Sequence, residues 1–123
     1  MKSLLIKTGS LGKSWSSKVL FYHDIHVSQK YTPDSTHLDF FKQQINFIRS
    51  CGYTFSAGIP ENSHQVLLTF DDGYKGIYEQ FEYFEKEKIP VKIFLVTNKI
   101  NNANYLSDSQ IKELASSGLV TFG

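Results

Sequence analysis

Short, mainly apolar runs at 19–22, 66–70 and 91–96, with another starting at Leu119, alternate with segments whose apolar residues recur every three or four positions. Such runs suit strands covered on both faces, and the three-four spacing suits helices lying over them. Strand and helix in alternation restrict the chain to an α/β fold, a parallel sheet or barrel with right-handed crossovers. The first helix is expected from a cap at Ser35 or Thr36 through Leu38, Phe41, Ile45 and Ile48 to Gly52. A second, with Ile77, Phe81 and Phe84 on one face, is stopped by Pro90. A third opens on Ser107 and Gln110, which have the spacing of a capping box, and closes at Gly118. Residues 53–55 suit one more short strand. Residues 1–17 show neither period and read as a loose leader, with structure beginning at Lys18.

The length, 123 residues, holds one small domain. Its 13 Lys and Arg against 12 Asp and Glu, with no dense basic run, make nucleic acid a poor partner. Cys51 is the sole cysteine, so neither an internal disulfide nor a Cys-based zinc cage can form. Leu4, Leu5 and Ile6 are too few for a secretory signal, which points to the cytoplasm but leaves a cell-envelope role open. No apolar run approaches the roughly 20 residues that span a bilayer.

In folds of this class chemistry gathers at the carboxyl ends of strands. Two places qualify: 23–26 after the first strand and 71–74 after the strand at 66–70. Asp71 and Asp72 are adjacent carboxylates, and like charges raise each other's pKa unless a cation lies between them. A divalent metal fits, with one carboxylate as ligand and the other beside the metal-bound water, ready to take its proton. Gly73 then permits a sharp turn, and the amides after it can face a developing oxyanion. Spacing alone equally allows a plain strand-to-helix turn in which one Asp caps a helix starting near Tyr74.

The wider string Val66-Leu67-Leu68-Thr69-Phe70-Asp71-Asp72-Gly73-Tyr74, followed by a helix and then by Ile89-Pro90-Val91-Lys92-Ile93-Phe94-Leu95-Val96, resembles the polysaccharide deacetylase family, also called the fourth carbohydrate esterase family. The resemblance implies a distorted (β/α) barrel, incomplete here: residues 18–123 match its amino-terminal portion, truncated before the family's His-x-x-x-His motif. It implies that Asp71 is the catalytic base, that Asp72 is a ligand of a metal, usually zinc, and that the amide at Tyr74 helps to hold acetate or the oxyanion. The implied reaction is hydrolytic removal of acetyl groups from an acetylated glycan, mostly from N-acetylglucosamine polymers.

The segment Phe21-Tyr22-His23-Asp24-Ile25 is similar to a subgroup in which the motif carrying the general-acid histidine has moved to the amino-terminal side. That likeness implies that His23 protonates the departing amine; an ordinary imidazole, titrating near ~6.5, suits the role. The other reading of His23 is a strand-end histidine bonded to a loop carbonyl. His26 reads first as a solvated loop residue and second as a supporting partner of His23, His37 and His64 have no motif around them, and Cys51 reads as a small buried thiol. Trp15 suits packing, or sugar stacking.

The family takes two further metal ligands from a His-x-x-x-His pair, and this sequence contains none. A single carboxylate cannot fix a metal as three ligands do, so the chain alone is expected to be weak or inactive. The alternative is a non-catalytic half domain that binds glycan or assembles with itself or a partner chain through the exposed edge of its last strand. Phosphate chemistry ranks lower, for want of a glycine-rich phosphate loop.

Overall fold

The structure, a computed structural model, describes residues 17–58 and 64–123. The leader expected at 1–17, apart from Ser17, and Trp15 lie outside the described residues. Strand β1 spans Lys18–Tyr22, β2 Asp24–His26, β3 Ser35–His37, β4 Thr54–Phe55, β5 Gln65–Asp72, β6 Val91–Leu95 and β7 Val120–Phe122. Helix α1 spans Leu38–Ser50, α2 Gly76–Glu79, α3 Phe81–Glu87 and α4 Asp108–Ser116, with a 3-10 turn at Thr97–Lys99. The main sheet runs β1-β5-β6-β7, with β4 on the start of β5, and every pairing in it is parallel. This is the expected α/β architecture, an open parallel sheet rather than a closed barrel.

The helices cover one face of the sheet because their apolar stripes match its alternation. Leu20, Tyr22, Val66, Leu68, Phe70, Val91, Ile93 and Val120 pack with Phe41, Ile45 and Ile48 of α1, Phe81 and Phe84 of α3, and Leu114 of α4 in one core. Aromatic rings knit its centre: Phe84 lies 5.5 Å from Phe41 and 5.9 Å from Phe70, ring centre to ring centre, and Phe41 meets Tyr22 edge-on at 4.9 Å. Only the central strand β5 is covered on both faces as its apolar run suggests, with Leu67 and Thr69 also buried; on β1 and β6 the period of two shows instead, and Val19, Phe21 and Phe94 are exposed.

Local signals hold where the chain makes its own caps. Ser107 Oγ accepts from Gln110 N–H at 3.2 Å, and Gln110 Oε1 accepts from Ser107 N–H at 2.9 Å, the reciprocal box at the start of α4. Ser107→Ala is expected to lower stability by about 1 kcal/mol in urea denaturation.

Other expectations need correction. Ser35 and Thr36 do not cap α1. They lie in β3, which pairs in parallel with β2, so the chain stays extended through His37. His37 is the cap, its Nδ1 accepting from Asp39 N–H at 3.0 Å. The same small sheet overturns the solvated reading of His26. That ring is buried, with Nδ1 2.7 Å from Ser35 Oγ and its centre 5.3 Å from that of the His37 ring, the two rings nearly perpendicular. Burial lowers the His26 pKa, and the nearby His37 and Lys30 lower it further. Cys51 is half-buried rather than buried. The helix after Asp-Asp-Gly breaks at Gln80 into α2 and α3, and Lys88, at φ +56°, turns the chain toward β6.

Candidate active site

Strand register sets the site. β1 and β5 run parallel with Tyr22 opposite Phe70, so the next residues on each strand, His23 and Asp71, emerge side by side at the carboxyl edge of the sheet. On the other side of β5, Asp71 stands opposite Phe94 and Asp72 opposite Leu95 of β6. Both carboxylates and His23 are half-buried. Asp71 has a raised pKa: partial burial is the main cause and the Asp72 charge adds to it, while the His23 imidazole pulls the other way. A carboxylate so placed is a stronger proton acceptor than one in water.

The chain leaves β5 through two successive left-handed residues, Asp72 at φ +78° and Gly73 at φ +73°. Asp is among the few side chains that tolerate this region, and glycine adopts it freely. Space is a lesser constraint: a Cβ on Gly73 would sit 2.9 Å from Leu95 Cδ2, the movable end of a side chain, so the positive φ is what calls for glycine. The turn carries the chain under the loop that follows β6. Leu106 N–H donates to Gly73 O at 2.9 Å and Lys75 N–H to Asn104 O at 3.0 Å. Both bonds bypass the Tyr74 N–H. The Tyr74 ring stacks on Tyr105 at 4.7 Å, and Lys99 Nζ lies 5.6 Å from the Tyr105 ring centre. The Tyr74 hydroxyl is pushed up in pKa, chiefly by its hydrogen bond with Tyr105 and then by burial.

Neither Asp71 nor Asp72 caps the helix that follows them. Asp24 does so from β2, its carboxylate accepting from Gly76 N–H at 3.0 Å and Ile77 N–H at 2.8 Å. Sequence reasoning gave Asp24 no role. One signal could have found it: a glycine at the first position of a helix marks a close approach by something else. The acid pair is thereby left free of structural duty while His23 lies beside it. A cleft of about 400 Å³ between α1 and α3, lined by Lys42, Glu79, Tyr83 and Glu87 among others, contains none of these four residues.

The donors do not by themselves fit a zinc site. Among the described residues no three His, Cys, Asp or Glu side chains gather as a metal cage requires. Asp72 is a single carboxylate there, and His23 stands with Asp71.

A family model described as polysaccharide deacetylase matches residues 58–123. The chain belongs to the polysaccharide deacetylase family. Members are generally metal-dependent, and the resemblance carried by the Thr69 to Gly73 string is thus a family relationship. YxkH of Bacillus subtilis (strain 168) is 34% identical to this deacetylase-family chain over 55 residues, which are 44% of this chain and 20% of that protein. The solved structure of IcaB from Ammonifex degensii superposes with a TM-score of 0.74 at 29% identity, over 88% of this chain and 52% of IcaB. The Streptococcus pyogenes deacetylase PplD, solved in complex with acetate, gives 0.67 at 25% identity, over 85% and 54%. A de-N-acetylase from Aggregatibacter actinomycetemcomitans shares the fold at 20% identity, with a TM-score of 0.71. The chain spans about half the length of these solved relatives and a fifth of YxkH. Among the described residues, no helix is long and apolar enough to cross a membrane.

Proposed function

We propose that residues 18–123 form the amino-terminal portion of a hydrolase that removes N-acetyl groups from a polysaccharide or amino sugar. The observation that carries this is the placement of His23 beside Asp71 at the end of β5, with Asp24 rather than either member of the acid pair holding the next helix. In this reading Asp71, made more basic by its half-buried setting, takes the proton of the water that attacks the acetyl carbonyl. The Tyr74 N–H donates to the oxygen on which negative charge grows. His23 gives a proton to the nitrogen as the amine departs. Asp72 would be this chain's ligand to a divalent metal, zinc in this reading, which would polarise the acetyl carbonyl and the attacking water; no further ligands gather beside it among the described residues. PplD binds acetate, the product such chemistry releases.

A second reading rests on the exposed Val19, Phe21 and Phe94, which leave an apolar sheet face open to another chain. In that case the chain serves as a half domain that binds glycan or assembles with a partner. The family's reaction favours the first reading.

The role of His23 has its own test. A general acid matters when the leaving group is a poor one, such as an amine, and little when it leaves unaided. His23→Gln, in a polypeptide continued past Gly123 into a His-x-x-x-His segment, is expected to slow acetate release from N-acetylglucosamine oligomers by about 100-fold. Hydrolysis of an activated aryl acetate should change by no more than a few-fold. Equal losses on both substrates would remove His23 from the proton-donating role.

A further inference from the structure

Asp24 is fully buried, at 0% exposure, one residue beyond His23. Its carboxylate accepts from the first two amides of α2, Gly76 at 3.0 Å and Ile77 at 2.8 Å. α2 begins three residues past Gly73, so this one carboxylate links the segment that carries His23 to the segment that carries Asp71 and Asp72. The fit is close. A Cβ on Gly76 would lie 2.1 Å from Ile25 O and 2.5 and 2.6 Å from the two Asp24 carboxylate oxygens, so only a glycine lets the strand and the helix meet.

Capping alone does not account for this arrangement. α2 has four residues, too few to matter as an element in its own right. The residue at its own cap position, Lys75, makes no side-chain capping bond, where a Ser or Asp would have done so locally. Instead an acid is taken out of water, which is costly, and reaches amides that lie 52 and 53 residues away in the chain. What a distant acid supplies and a local cap cannot is a fixed relation between the two strand ends.

We propose that Asp24 is a positioning residue that holds His23 against Asp71, by locking the start of β2 onto the first turn of α2. Its consequence for catalysis rests on the deacetylase reading above; its physical effect does not. The pairing of β1 with β5 sets His23 and Asp71 level, and Asp24 fixes the chain just past each strand end, where β2 has three residues and Asp72 and Gly73 turn left-handed. The two carboxylate oxygens take one amide each and fix both distance and rotation.

The test uses the 123-residue chain and the NMR signal of the His23 ring Cε1–H. In the wild-type chain Asp71→Asn should move this signal, because the two groups interact. With Asp24→Ala the same Asp71→Asn change should move it by less than about a quarter as much, as coupling between separated sites fades. Gly76→Ala, which removes no carboxylate but forces the joint apart, should give the same loss. Asp24→Asn keeps one accepting oxygen and the side-chain shape, guards against a chain that fails to fold, and should lose at least about half of the response. A full-sized response in a folded Asp24→Asn or Gly76→Ala chain would show that Asp24 is only a helix cap and overturn the proposal. In the continued polypeptide Asp24→Asn should lower kcat by about tenfold or more while KM stays within about twofold, the pattern of a misplaced acid rather than of lost substrate binding. Absence of acetate release by the wild-type polypeptide would overturn the deacetylase reading and leave the NMR result standing.

Discussion

Asp71→Asn is expected to lower kcat for acetate release from N-acetylglucosamine oligomers by about 1,000-fold, in a polypeptide that supplies the family's histidine pair. The substitution keeps the size of the side chain and removes only its ability to take a proton. Asp71 lies in β5, paired with Phe94 of β6 and level with His23, so Asn should fit without moving either neighbour. Folding should therefore be preserved, and the loss should fall on kcat, with KM changed by no more than about threefold, as for an interaction made in the transition state. The wild-type and variant rates, measured with matched metal content, check this. A residual rate within tenfold of wild type would mean that Asp71 is not the base.

The second large effect is on stability. Asp24 has its pKa raised from the model-compound value of 3.8 to about 7; burial is the main cause and the charge of Glu79 adds to it, against the pull of the Ile25, Gly76 and Ile77 amides. A carboxyl group with a raised folded-state pKa favours folding in its protonated form. Its contribution is fully present below about pH 4, declines as the unfolded chain ionises and the folded one does not, and is gone once pH passes about 7. Roughly three pH units at about 1.4 kcal/mol each set the change on the order of 4 kcal/mol. Urea unfolding of wild type and Asp24→Asn at intervals from pH 4 to pH 8 isolates it, because other titrating groups are common to both. One of these, His26, has a lowered pKa and acts with the opposite sign, adding stability as pH rises. The wild type should lose stability relative to the variant across this window; a constant gap between the two would contradict the buried setting of Asp24.

Much of the architecture is legible in the sequence because the signals are local. The apolar runs that become β1, β5 and β6 are contiguous in the chain, and the Ser107 and Gln110 box closes within four residues. The acid pair is legible for the same reason, as a contiguous string at the end of a strand. What escapes a sequence reading depends on contacts between distant segments. β2 and β3 have three residues each and only one apolar residue, Ile25, between them, too short to show a period, yet their pairing moves the cap of α1 from Ser35 or Thr36 to His37 and buries His26. The tie between Asp24 and α2 spans more than 50 residues, so nothing near Asp24 announces its partner. Spacing leaves the turn-and-cap reading of Asp71 and Asp72 open for this reason: the residue that takes the capping duty, Asp24, is far away in the chain.

The most direct measurement follows acetate and free amine together as an N-acetylglucosamine oligomer is incubated with residues 1–123 continued into the family's second half. The proposed chemistry requires the two products to appear in equal amounts, and to stop appearing when Asp71 is replaced by Asn. Acetate without amine, no acetate at all, or release as fast from the Asp71→Asn polypeptide would contradict it.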